Sequence, residues 1–273
     1  MESMSLALAS YGPRPKSPRW WIGFLDAAER LAVMRGWTYT DVGVSVAGKR
    51  PGQTLDKNWR YSGKALQKAK DTLGQEQPLA VGFAIQGPGG EHNVGALLEL
   101  GMNVDALGPP CNLVLTFDMD MLKGRHAAMT TKALVETFEE VEGVIRQTYG
   151  LVHRMERRKG PGLFLAGIGT NHLSEPENEL LARWVSSGTQ YEDKLWDIYW
   201  GNLVSETQGG PRHEDLVQAF RDHVGEEHVM PFGEGRHFIT LPFDLADAAH
   251  YEENLARWRR RLRRVPVIRD ALM

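Results

Sequence analysis

The chain has 273 residues, 42% of them hydrophobic, with 32 basic and 35 acidic side chains and a formal net charge of −3. That balance excludes a general affinity for nucleic acid or an anionic membrane surface, and it is too mild for a disordered acidic chain. A single cysteine, Cys111, excludes an internal disulfide and any multi-cysteine zinc or iron–sulfur site.

The amino-terminal run MESMSLALASYGPRPK lacks the basic lead and long apolar core of a secretory signal. No stretch approaches the ~20 apolar residues of a membrane span, so a cytoplasmic protein with no membrane partner is expected. Ser5 to Tyr11 predicts a strand, broken by Gly12-Pro13-Arg14-Pro15. A helix follows from about Pro18, with Trp21, Phe24, Leu25, Ala28, Leu31 and Ala32 on one apolar face and Gly36 as its stop. Residues 39 to 47 alternate as a strand does, Arg50 to Tyr61 reads as a polar loop, and Gly63 to Leu73 as a short basic helix. Leu79 to Ile85 is a strand closed by Gly87-Pro88-Gly89-Gly90, a turn without the Lys-Ser or Lys-Thr of a phosphate loop.

Ala96 to Leu100 predicts a short helix, and Asn112 to Asp120, NLVLTFDMD, carries the strongest strand signal. Thr130 to Tyr149 predicts a helix with Leu134, Phe138, Val141 and Ile145 inward and Gly150 at its end. His153 to Gly160 reads as a basic polar stretch ahead of a strand at Leu163 to Ile168. Helices are predicted at Glu177 to Val185 and at Arg212 to Val224, the latter with an acidic first turn. His237 to Phe243 predicts a strand, and Asp244 caps or precedes a last helix that runs through Arg264.

A weak internal repeat relates the two parts of the chain. Leu6, Leu8 and Lys16 align with Leu113, Leu115 and Lys123, and Phe24, Leu31 and Gly36 with Phe138, Ile145 and Gly150. Strand–helix–strand units of this kind imply an α+β fold, a mixed or antiparallel sheet packed by helices, in two related halves. The halves are drawn at 1–110 and 111–273 and packed as one compact unit.

The least ordinary stretch is Tyr191 to Gly210, YEDKLWDIYWGNLVSETQGG. Its rings fit neither a helical stripe nor an alternation. Such a segment either anchors a core or forms a contact surface, and Tyr199, Trp200 and Asn202 are the candidate partner-binding residues. Asp118 and Asp120, two apart on a strand, share a face and are geometrically able to hold a metal; solvated strand-end acids are the plainer reading. The GIGTNH loop around Gly167 and His172 offers backbone amides to an anion, or simply connects two elements. The nine histidines show no metal-binding spacing, and Ser186, Ser187 and Ser205 lack a nucleophile elbow. The RWRRRLRR run, Arg257 to Arg264, reads as a solvated or internally paired helix rather than a nucleic-acid contact, although Trp258 suits base stacking. No catalytic residue, metal ligand or cofactor is assigned.

The run IYWGNLVSETQGG, Ile198 to Gly210, is followed by a helix, then by Gly233-Glu234-Gly235-Arg236-His237-Phe238-Ile239 and LPFDLADA. It resembles immunity proteins of bacterial polymorphic toxin and type VI secretion systems, nearest in kind to the immunity protein 52 group. The likeness covers roughly Tyr191 to Asp247, and residues 50 to 110 match nothing in it. What the resemblance implies is a cytoplasmic binder that neutralises a cognate protein toxin, with no catalytic activity and no nucleic-acid partner. The alternative from another class is a metal-dependent transferase or hydrolase using Asp118 and Asp120.

Overall fold

The computed structural model describes residues 4–12, 17–35, 38–86, 94–101, 112–118, 136, 139–140, 148–165, 167–186, 192–245, 247 and 249–273. Within them the fold is α+β. Its strands are β1 (Met4–Tyr11), β2 (Tyr39–Ala47), β3 (Thr54–Arg60), β4 (Pro78–Gln86), β5 (Val94–Gly101), β6 (Asn112–Asp118), β7 (Tyr149–Glu156), β8 (Gly201–Ser205), β9 (Val229–Pro231) and β10 (Arg236–Thr240). The helices are α1 (Pro18–Arg35), α2 (Gly63–Gln75), α3 (Pro161–Leu165), α4 (Glu175–Ser186), α5 (His213–Val224), α6 (Tyr251–Leu262) and α7 (Pro266–Ala271). All ten strands join one sheet in the order β3-β2-β4-β5-β6-β1-β7-β8-β10-β9, and every pairing between them is antiparallel.

The first strand lies at the middle of this sheet. β1 pairs with β6 on one side, Leu8 opposite Leu115, and with β7 on the other, Leu8 opposite Val152. The two strands of the sequence repeat, β1 and β6, are therefore direct neighbours. β5 and β6 pair across residue 110, so the sheet runs without a break through both halves of the chain.

Burial along the strands records which faces are covered. Seven consecutive residues of β1 and of β7 are buried, so both faces of the central sheet lie under other elements. β2 alternates instead, and β3, at the sheet edge, is largely exposed. Its polar TLDKNWR sequence keeps an open edge from recruiting another chain.

The helix faces follow their sequence spacing. Trp21, Phe24, Leu25, Ala28 and Leu31 of α1 are all buried. α2 starts at Ser62, whose hydroxyl accepts the Ala65 amide at 3.1 Å, and buries Ala65, Leu66, Ala69 and Leu73. Lys70 of α2 then pairs with Asp26 of α1 at 2.7 Å. α3 packs on β1, β6 and β7, and α5 packs on α7 and the β9–β10 end of the sheet.

Several expectations are corrected. Arg50 to Tyr61 contains a strand, β3, because an edge strand has no buried side that would print an alternation. Residues 96–100 belong to β5 rather than to a helix; a short apolar run such as GALLEL does not distinguish the two by period. The stretch from His153 is not a polar connector but part of β7, and Gly150 lies inside that strand rather than at a helix stop. The Leu163–Ile168 strand is replaced by the helix α3 and a turn. Of the helix expected at 130–149, Glu136, Glu139 and Glu140 are helical, Thr148 is instead a bend whose amide bonds the Tyr11 carbonyl and Tyr149 begins β7, and the other residues, with Gly87 to Gly90, Cys111 and Asp120, lie outside the described residues. The last basic helix begins at Tyr251 with His250 at its cap position, so Asp244 precedes it without capping it.

Candidate functional site

The aromatic segment is built into the centre of the molecule. From Leu195 to Ser205 every residue is buried, and β8 occupies its second half. Trp196 stacks on Trp184 of α4 with ring centroids 4.4 Å apart and planes within 7°, and on Phe164 of α3 at 5.3 Å. Tyr11 and Tyr149, opposite each other on β1 and β7, stack at 5.8 Å, and Trp184 meets Tyr11 edge-on at 4.9 Å. Tyr199 and Phe164 flank His153, at 5.1 Å and 6.1 Å. Rings distant in sequence thus form one continuous stack, whose offset and edge-on geometries are the favoured ones.

Asn202, Ser205 and Gln208 find their partners within the segment itself. Asn202 closes a loop on its own backbone: its carbonyl accepts the Tyr199 amide at 3.1 Å and its amide donates to the Tyr199 carbonyl at 2.8 Å. Gln208 accepts the Ser205 amide at 2.7 Å and donates to the Glu192 carbonyl at 3.2 Å. Gly209 follows at φ +81°, a left-handed conformation that admits glycine readily and turns the chain into α5. Asp197, 4% exposed, receives the Arg263 guanidinium at 2.7 Å, with Arg259 at 3.4 Å. Arg259 also donates to the Ile198 carbonyl at 2.7 Å and lies over the Tyr199 ring at 5.1 Å.

The three sequence candidates therefore part company. Tyr199 and Asn202 have no exposed surface, and their side chains are occupied with the core and the backbone. Trp200 is 3% exposed and donates its indole N–H to the Phe243 carbonyl at 2.9 Å. It also lines a surface cleft of about 600 Å³, together with Met230, Leu241 and Phe243. Pro231, Thr240 and His228 complete the wall, and Glu136, Glu139 and Glu227 contribute carboxylates. The cleft contains three glutamates and no lysine or arginine among its described lining residues. Nothing in the sequence marks it, because its walls come from stretches some 90 residues apart.

Other candidates are scattered. Asp118 ends β6 opposite Ser5, and Asp120 lies outside the described residues. Among the described residues no three histidine, cysteine or acidic side chains converge as a metal site would require. His172 of the GIGTNH loop is exposed, and Gly167 takes φ +84° at the turn after α3. In the arginine run, Arg259 and Arg263 are held by Asp197, Arg257 bonds Asn254 at 2.7 Å, and Arg261 covers the Trp258 ring at 4.7 Å. Trp258 is 9% exposed, a core residue rather than a stacking platform. No described helix is long and apolar enough to cross a membrane.

No protein-family model and no curated protein matches the chain. Among solved structures, the fold is similar to that of a T6SS (type VI secretion system) protein of Pseudomonas aeruginosa, with a TM-score of 0.51 at 11% sequence identity. The superposition covers 93% of this chain and 73% of that one. At that identity the likeness is one of fold.

Proposed function

We propose that this chain is an immunity protein of a type VI secretion system, which binds a cognate protein toxin in the cytoplasm and has no chemistry of its own. The observation that carries the reading is the fold shared with a type VI secretion protein over 93% of the chain. The resemblance of Ile198 to Gly210 and Gly233 to Asp247 to immunity proteins points the same way. An inhibitor needs a rigid scaffold that presents a complementary surface, and the ring stack under β1 and β7 supplies rigidity.

The experiment is co-expression with the product of the adjacent gene, followed by affinity capture. A stoichiometric complex is expected. Absence of a complex would overturn the reading. Thermal stabilisation by manganese or magnesium that disappears in Asp118→Asn would then put a metal-dependent enzyme in its place.

A further inference from the structure

We infer that the cleft beside Trp200 is the docking site for the partner toxin, and that it receives a basic segment of the toxin through lysine or arginine side chains. This rests on the immunity reading. The argument begins with the chemistry of the walls. Trp200, Met230, Leu241 and Phe243 form an apolar floor, and Glu136, Glu139 and Glu227 place carboxylates around it with no lysine or arginine in the described lining.

An apolar surface below a carboxylate rim matches the build of a long cationic side chain, which carries an apolar stem and a charged head. Arginine suits it best, since its guanidinium pairs with two carboxylate oxygens at once. An anionic partner, nucleic acid included, would meet the same carboxylates as repulsion. The volume of about 600 Å³ lies within the roughly 300–1,000 Å³ range of cavities that enclose a bound group, enough for more than one side chain.

The position of the cleft narrows the mode of binding. It opens at the β9 end of the sheet, where an added strand would otherwise pair. β9 has only three residues and ends in Pro231, which offers no N–H, so the edge gives little to a main-chain ladder. Recognition at this edge falls to side chains. Glu139 and Glu227 are exposed, so their carboxylates are reachable without unfolding the wall.

The test measures affinity of the full chain for the purified adjacent-gene product by calorimetry at two salt concentrations. It compares wild type with Glu139→Lys/Glu227→Lys and with the milder Glu139→Gln/Glu227→Gln. Reversal should weaken binding at least about tenfold at low salt, mainly through slower association, and the glutamine pair should weaken it less and flatten its salt dependence. The glutamine pair keeps the test valid if charge reversal disturbs folding. Arg257→Glu/Arg260→Glu, on the exposed face of α6, should bind as wild type does. Unchanged affinity in both glutamate variants would overturn the cleft while leaving the immunity reading intact, as would loss of binding confined to the arginine variant. Failure of the wild type to bind would overturn both.

Discussion

His153 is the residue whose chemistry the fold alters most. It is buried between Phe164 and Tyr199, and burial, assisted by the nearby positive charges of Arg259 and Lys159 and opposed by Glu177, pushes its imidazole down to about 3. The unfolded chain takes up that proton near 6.5, so the neutral imidazole's contribution to stability is complete above pH 6.5 and is lost as pH falls toward 3. Between those limits the loss is about 1.4 kcal/mol per pH unit. Urea midpoints at pH 7 and pH 4.5 should therefore fall further apart in wild type than in His153→Phe; equal separations would contradict the assignment. Asn202 gives a second prediction. Asn202→Ala leaves the buried Tyr199 amide and carbonyl without their side-chain partner, at a cost of about 2–4 kcal/mol, measured by urea unfolding. An unchanged midpoint would contradict this structural role for Asn202.

At the scale of elements, legibility followed burial on one face. α1 and α2 each bury one stripe and expose the other, so their period was visible in the sequence. β7 was not, because its YGLVHRME carries His153 and Arg154 into the interior of a strand covered on both faces. Arg154 tolerates that position through a bond from its guanidinium to the Leu245 carbonyl at 3.1 Å and contact with the Tyr251 ring. Such compensation is long-range and leaves no local pattern. The segment before β8 looked irregular because its rings belong to a stack with residues from β1, β7, α3 and α4, rather than to any periodic face of its own. The same crowding sets a prediction at Gly150. A Cβ there would stand 3.0 Å from the Ala9 carbonyl oxygen and 3.1 Å from the Leu203 Cβ, with β1 and β8 fixed on either side. Gly150→Ala should lose about 1–3 kcal/mol. Gly63→Ala, in open space at the start of α2, should hold or gain up to ~1 kcal/mol. Thermal melts of the pair test the contrast, and equal shifts would contradict it.

For the whole molecule, the features that composition made prominent turned inward. The tryptophan-rich segment became the core, and the arginine run is partly tied to Asp197. The cleft beside Trp200 arises from the way the β9–β10 end of the sheet meets the helical residues Glu136 and Glu139, a juxtaposition that only the fold creates. Of the three sequence candidates, Trp200 alone reaches it, as a buried floor rather than a projecting anchor. That placement suits a receptor for a partner's side chains better than a donor of its own. The most direct measurement of the account is growth of cells expressing the adjacent-gene product with and without this chain. The account predicts arrest without it, full growth with it, and renewed arrest with Glu139→Lys/Glu227→Lys. Growth that stays arrested in the presence of the folded wild-type chain would contradict it.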